Sequence, residues 1–161
     1  MTRFSRRLLL TVFAALAGMS VAFAQPLTVQ QRITFPTSEL TIESGGRQHR
    51  FNIEFADTDE RRALGLMYRT TLAADAGMLF DFKVDQPVAM WMRNTRLPLD
   101  MLFIRRDGRI ANIAQRTVPF SETSIYSSGP VRGVLELNGG TAERLGLKPG
   151  DRVIHPMFRG G

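Results

Sequence analysis

From Leu40 onward the apolar positions recur at a period of two, the pattern of a half-buried strand. Leu40 and Ile42 alternate with Thr41 and Glu43, Ser44-Gly45-Gly46 supplies a turn, and Phe51, Ile53 and Phe55 alternate with Asn52 and Glu54. This predicts a hairpin with one wet face. Six more short runs follow, at 78–82, 88–92, 101–104, 110–114, 131–137 and 152–154, most of them bounded by Gly, Pro, Asn or Asp. Asp107-Gly108 is a dipeptide favoured by primed turns, whose central residues take positive φ, and it predicts antiparallel pairing of 101–106 with 109–114.

The period turns helical twice. Asp57 is placed to cap a helix, with Glu60 three residues on as a capping box and Ala63, Leu64 and Met67 at helical spacing. A second helix is predicted over 141–145, stopped by Gly146, with Pro149-Gly150 as a type II turn into the last strand. About eight short strands and two short helices predict a mainly β (β-rich α+β) fold, an antiparallel sandwich or a partly closed barrel. No repeat or linker divides residues 37–161, and 25–36, with Pro26 and Pro36 near its ends, reads as an N-terminal arm.

The first 24 residues follow a different pattern. Arg3, Arg6 and Arg7 form a cationic start without acids, residues 8–17 are apolar apart from Thr11, and Ala22-Phe23-Ala24 presents small residues for cleavage before Gln25. This is the layout of a signal peptide, and the apolar run is too short to span a bilayer. The expected product is a periplasmic or secreted protein without a membrane anchor. Arg6-Arg7 leaves twin-arginine export open beside the general route.

Composition changes the picture in two ways. The formal charge of +6 suggests nucleic acid, but three of those charges sit in the signal segment. The remaining 137 residues carry 18 basic and 15 acidic groups, which removes that argument. The chain has no Cys, so thiol catalysis, disulfides and Cys-ligated metals are excluded.

Several motifs carry a family resemblance. Gly65-Leu66-Met67 with Arg69, Gly77-Met78-Leu79-Phe80, Trp91-Met92-Arg93-Asn94-Thr95, Leu99-Asp100, Val134-Leu135-Glu136-Leu137-Asn138 with Gly140, and Gly150-Asp151 occur in this order over about 49–154. Together they resemble the domain of unknown function 192 family. The resemblance implies a small, mainly β fold, often exported in bacteria, and no established activity. Met90 stands where the family usually has an aromatic residue before the Trp.

Candidate chemistry gathers around the same motifs. Alternation along 88–95 sets Met90, Met92 and Asn94 on one face and Trp91, Arg93 and Thr95 on the other. Trp91 is read first as a core residue, its alternative being an open amphipathic surface shared with Arg93. Asp100 can orient a ligand or bond loop amides, and the second role is preferred. Glu136 lies inside an apolar strand and, if buried, would need a partner such as Arg69 or an arginine of the 93–96 loop.

Two functions of different class follow. The first is a non-enzymatic binding or accessory module contacting a small molecule, a glycan or an envelope protein through Arg69, Trp91, Asn94, Asp100, Glu136 and Asn138, with no cofactor and no nucleic acid. The alternative is a small hydrolase of envelope glycans dividing acid and base roles between Asp100 and Glu136. Met90-x-Met92 offers two thioethers of the kind that select Cu(I), although Met is also a common core filler. His49 and His155 show no metal-ligand spacing, and no serine nucleophile elbow occurs. Gly139-Gly140-Thr141 opens a helix with free amides but lacks the pattern of a nucleotide loop.

Overall fold

The structure, a computed structural model, describes residues 33–158. The expected signal segment and the arm up to residue 32 lie outside the described residues. β1 (Thr37–Ser44) and β2 (Arg47–Ala56) form the expected hairpin, with Ser44 opposite Arg47. In chain order there follow α1 (Asp59–Leu64), β3 (Ala76–Gln86), β4 (Ala89–Met90), β5 (Leu99–Ile104), β6 (Ile110–Ala114), β7 (Ile125–Tyr126), β8 (Val131–Asn138), α2 (Thr141–Leu145), β9 (Arg152–Ile154) and a 3-10 turn, Pro156–Phe158. Seven strands make the main sheet in the order β6-β5-β8-β3-β2-β1-β9, and β4 pairs with β7 alone.

The main sheet curls into a half-barrel because its two edges meet. Arg109 bridges Arg152, the Ile110 amide donates to the Asp151 carbonyl at 2.9 Å, and the Val153 amide donates to the Gly108 carbonyl at 2.7 Å. The partly closed barrel is therefore the observed alternative, since joining the edges satisfies backbone groups that a sandwich leaves open. One pairing departs from the antiparallel expectation: β2 and β3 run parallel, with α1 inside the crossover.

All seven strands contribute to one apolar cluster. It holds Leu40 and Ile42 of β1, Phe51 and Ile53 of β2, Leu79 of β3, Leu102 and Ile104 of β5, Ile110 of β6, Leu135 and Leu137 of β8 and Val153 of β9, with Ala142 of α2. This is the barrel interior. The opposite face of β3, β5 and β8 packs Met78, Phe80, Leu99, Met101, Phe103 and Val134 under loops that carry Leu66, Val88 and Met92. Burial on both faces explains why β5 reads as an apolar run broken only by Asp100, and all six of its residues are buried.

Three local expectations shift. The α1 cap is Thr58, whose hydroxyl accepts from the Arg61 amide at 3.3 Å, while Asp57 pairs with the Arg61 guanidinium at 2.6 Å. The turn at Asp107-Gly108 is not primed: Gly108 alone takes positive φ, its amide donates to the Arg105 carbonyl, and a bulge follows in the β5–β6 register. The predicted strand over 88–92 shrinks to Ala89–Met90, because the chain turns at 92–95 with the Thr95 amide donating to the Met92 carbonyl. The second helix, its Gly146 stop and the Pro149-Gly150 turn lie where the sequence put them.

Candidate functional site

Asp100 and Glu136 sit on neighbouring strands, where Asp100 faces Leu137 and Met101 faces Glu136 in the register. That single-residue offset places them on opposite faces of the sheet. Asp100 points with Leu102 and Leu137 into the barrel, and Glu136 points with Met101 and Met78 to the outer layer. Two carboxyl groups on opposite sides of a sheet cannot flank one glycosidic bond, so the geometry gives no support to a paired-carboxylate hydrolase.

Asp100 is occupied structurally. Its Oδ1 accepts from the amides of Arg116 at 2.8 Å and Gly140 at 3.0 Å, and its Oδ2 accepts from the Ala142 amide at 2.7 Å. The α2 N-cap is Gly140, which has no side chain to satisfy the first amides, and Asp100 supplies the missing acceptor from β5. Gly140 takes φ 89°, and a Cβ there would come within 3.0 Å of the Arg116 guanidinium. The amides that the sequence offered as an anion site are thus filled by a carboxylate of the protein itself.

Glu136 is 4% exposed. Among the described residues it has no hydrogen-bond or ion-pair partner. Burial pushes its carboxyl up to about 8. Of its expected partners, Arg69 and Arg93 are engaged elsewhere and Arg96 is exposed on the loop. Arg69 forms a two-pronged ion pair with Glu54 and lies over the Phe35 ring, and the Arg93 guanidinium stacks 4.1 Å from the centre of the Trp91 ring.

Glu136 instead forms part of a cleft of about 260 Å³ between the outer sheet face, the end of α1 and β4. The walls are Leu66, Met67, Phe80, Phe82, Met90 and Trp91, with Arg62 and Thr95 as polar neighbours. Arg62 is held by the Asp81 carbonyl at 2.6 Å and by Asp59. Trp91 is 45% exposed, which overturns its reading as a core residue: the turn at 92–95 buries Met92 and Thr95 and leaves the ring at the mouth.

The other residues expected at the site are spread around it. Asn94 holds the rim, its amide group donating to the Tyr68 hydroxyl at 2.9 Å while its carbonyl accepts from the Tyr68 amide. Asn138 ties the end of β8 to the carbonyls of Leu72 and Ala73. Met90 and Met92 separate: Met90 lines the cleft, whereas Met92 is fully buried and accepts from the Thr117 hydroxyl at 3.1 Å. Among the described residues no group of three or more His, Asp or Glu is placed to hold a metal. The cleft beside Arg69, about 550 Å³, is lined by the Arg69–Glu54 ion pair and by Glu39.

Sequence reasoning missed the methionine surround. Met78 and Met101 flank Glu136 across the sheet, and Met67 and Met90 close over it. The signal was the period-two register of three strands that are far apart in sequence.

The profile of the domain of unknown function 192 family, described as "Uncharacterized ACR", matches residues 40–155. The chain belongs to this family. The cleft over Glu136 and all six residues expected at the site lie inside that span. A solved protein from Sinorhizobium meliloti 1021, provisionally described as a transcription regulator, is 48% identical, with a TM-score of 0.75 over 76% of this chain and 96% of its own. A protein of unknown function from Novosphingobium aromaticivorans DSM 12444 is 37% identical, with a TM-score of 0.72 over 82% of this chain and all of its own. No curated protein matches the chain.

Proposed function

We propose that this family member is an exported binding module of the periplasm or extracellular space, and that its ligand occupies the cleft over Glu136. One observation carries the reading: a buried carboxyl group without a partner among the described residues forms part of an open cleft whose walls are mostly apolar and aromatic. An unpaired buried polar group is costly, and a site that keeps one gains a strong interaction when a complementary ligand arrives. Methionine walls suit such a cleft, because their flexible thioethers adapt to the ligand's shape.

A regulator reading carried over from the Sinorhizobium relative is weaker. The 137 residues after the signal segment hold 18 basic against 15 acidic groups, which offers little to a polyanion. The test is methyl NMR of the protein labelled at methionine, screened against a mixed small-molecule and glycan-fragment library. Binders should shift the Met67 and Met90 methyls, and Ala89→Trp, which fills the mouth from an exposed strand position, should abolish those shifts. Binders that move only signals away from the cleft would overturn the assignment.

A further inference from the structure

We propose that the cleft takes an organic cation, an ammonium or guanidinium head on a small apolar body, with Glu136 as its counterion and Trp91 at its entrance. This rests on the binding reading above and names the ligand class.

Charge decides first. Glu136 is the acidic side chain of the cleft lining, and the one cationic group there, Arg62, is already held by Asp59 and the Asp81 carbonyl. An anionic ligand would meet a carboxyl and an engaged guanidinium. A cation would meet a carboxyl with no cationic partner among the described residues.

The walls decide second. A neutral polar ligand needs several matched donors and acceptors, but the Thr95 hydroxyl already donates to the Arg93 carbonyl and the remaining walls are aliphatic side chains with thioether, phenyl and indole groups. Those groups attract a positive charge through polarisability and ring quadrupoles without competing for hydrogen bonds. The Trp91 ring demonstrates the affinity, since it already carries the Arg93 guanidinium at 4.1 Å.

The groups around Glu136 leave its ionisation to the ligand. From β3 and β5 it faces Met78 and Met101, from β4 Met90, and the nearby charges are Arg62 at the end of α1 and Arg93 at the rim. Burial holds Glu136 up to about 8, so at neutral pH it is mostly a carboxylic acid. Binding a permanent cation then forms the carboxylate and releases its proton to solvent.

Tetramethylammonium and its neutral near-isostere 2,2-dimethylpropan-1-ol test this by calorimetry in buffers of different ionisation heat. The ammonium should bind with release of about one proton at pH 7 and none at pH 9.5, its affinity rising roughly tenfold per unit from pH 6 to 8 and then levelling. The alcohol should bind at least about tenfold more weakly with no proton release, and Glu136→Gln, which preserves shape and should unfold cooperatively, should lose the ammonium. Equal affinity for both probes, with Met67 and Met90 methyl shifts, overturns the cation class and leaves the cleft reading standing. Undiminished ammonium binding by Glu136→Gln overturns the counterion role. Failure of the ammonium to bind, with silver(I) as a Cu(I) surrogate moving those methyls instead, assigns the cleft to a soft metal and overturns the proposal.

Discussion

Asp100 and Glu136 are buried carboxyl groups one register step apart, and their surroundings give them opposite behaviour. Asp100 accepts from three amides that converge on the barrel end, so Asp100→Asn replaces an acceptor with a donor that faces those amides. It should cost about 2–4 kcal/mol in urea unfolding while cleft binders keep their affinity. Glu136 is destabilising where the unfolded chain ionises and the native one does not. Its native carboxyl titrates near 8 against an ordinary 4.5, so stability falls as pH rises from 4.5 to 8 and is flat above. Glu136→Gln cannot ionise, and its stability relative to the parent should climb across that window by roughly 5 kcal/mol, read from denaturation midpoints at pH 4, 6 and 9. The sequence marked both residues but could not separate them, because which face of a strand meets which layer is settled by partners distant in sequence. Trp91 escaped for a related reason: average burial points inward, and the turn at 92–95 turns the ring out.

Elements whose geometry is local were the most legible. α2 is bounded by Gly140 and Gly146 because both sit at left-handed positions, and the hairpin of β1 and β2 follows from alternation and a Gly-Gly turn. β4 was overextended because the chain there is set by tertiary bonds, the Met92 amide donating to the Ser121 carbonyl and Met90 pairing with Ile125. The parallel joining of β2 and β3 leaves no local trace, since the apolar period is the same in either direction. Gly77 marks a close approach of β3 and β8: a Cβ there would lie 2.7 Å from both the Glu136 carbonyl oxygen and a Leu137 methyl. Gly77→Ala should push the two strands apart and cost about 1–3 kcal/mol, measured as a lowered thermal midpoint with the helical content unchanged.

For the whole molecule, the mainly β character and the number of elements were readable from spacing alone, while the closure of the barrel was not. Closure depends on Arg109 and Arg152 meeting across 43 positions of sequence that carry no shared pattern. The export reading rests on residues 1–24, and it predicts that protein recovered outside the cytoplasm begins at Gln25 by N-terminal sequencing. Replacing Arg6 and Arg7 together by Lys distinguishes the routes: export should stop if a folded chain leaves by the twin-arginine path and continue if it leaves unfolded. Since no Cys is present, refolding yield should be the same in reducing and oxidising buffer.

β8 divides two compartments that share one backbone. In its C-terminal half Leu135 and Leu137 fill the barrel, and Val134 and Glu136 face the outer layer. Substitutions there sort by face: a change at 135 or 137 reaches the barrel core, one at 134 the packing of the outer layer, and one at 136 the cleft. Exchanges at Glu136 alone should change what the cleft binds and leave the barrel packing in place, which makes this one position a natural place to retune the module.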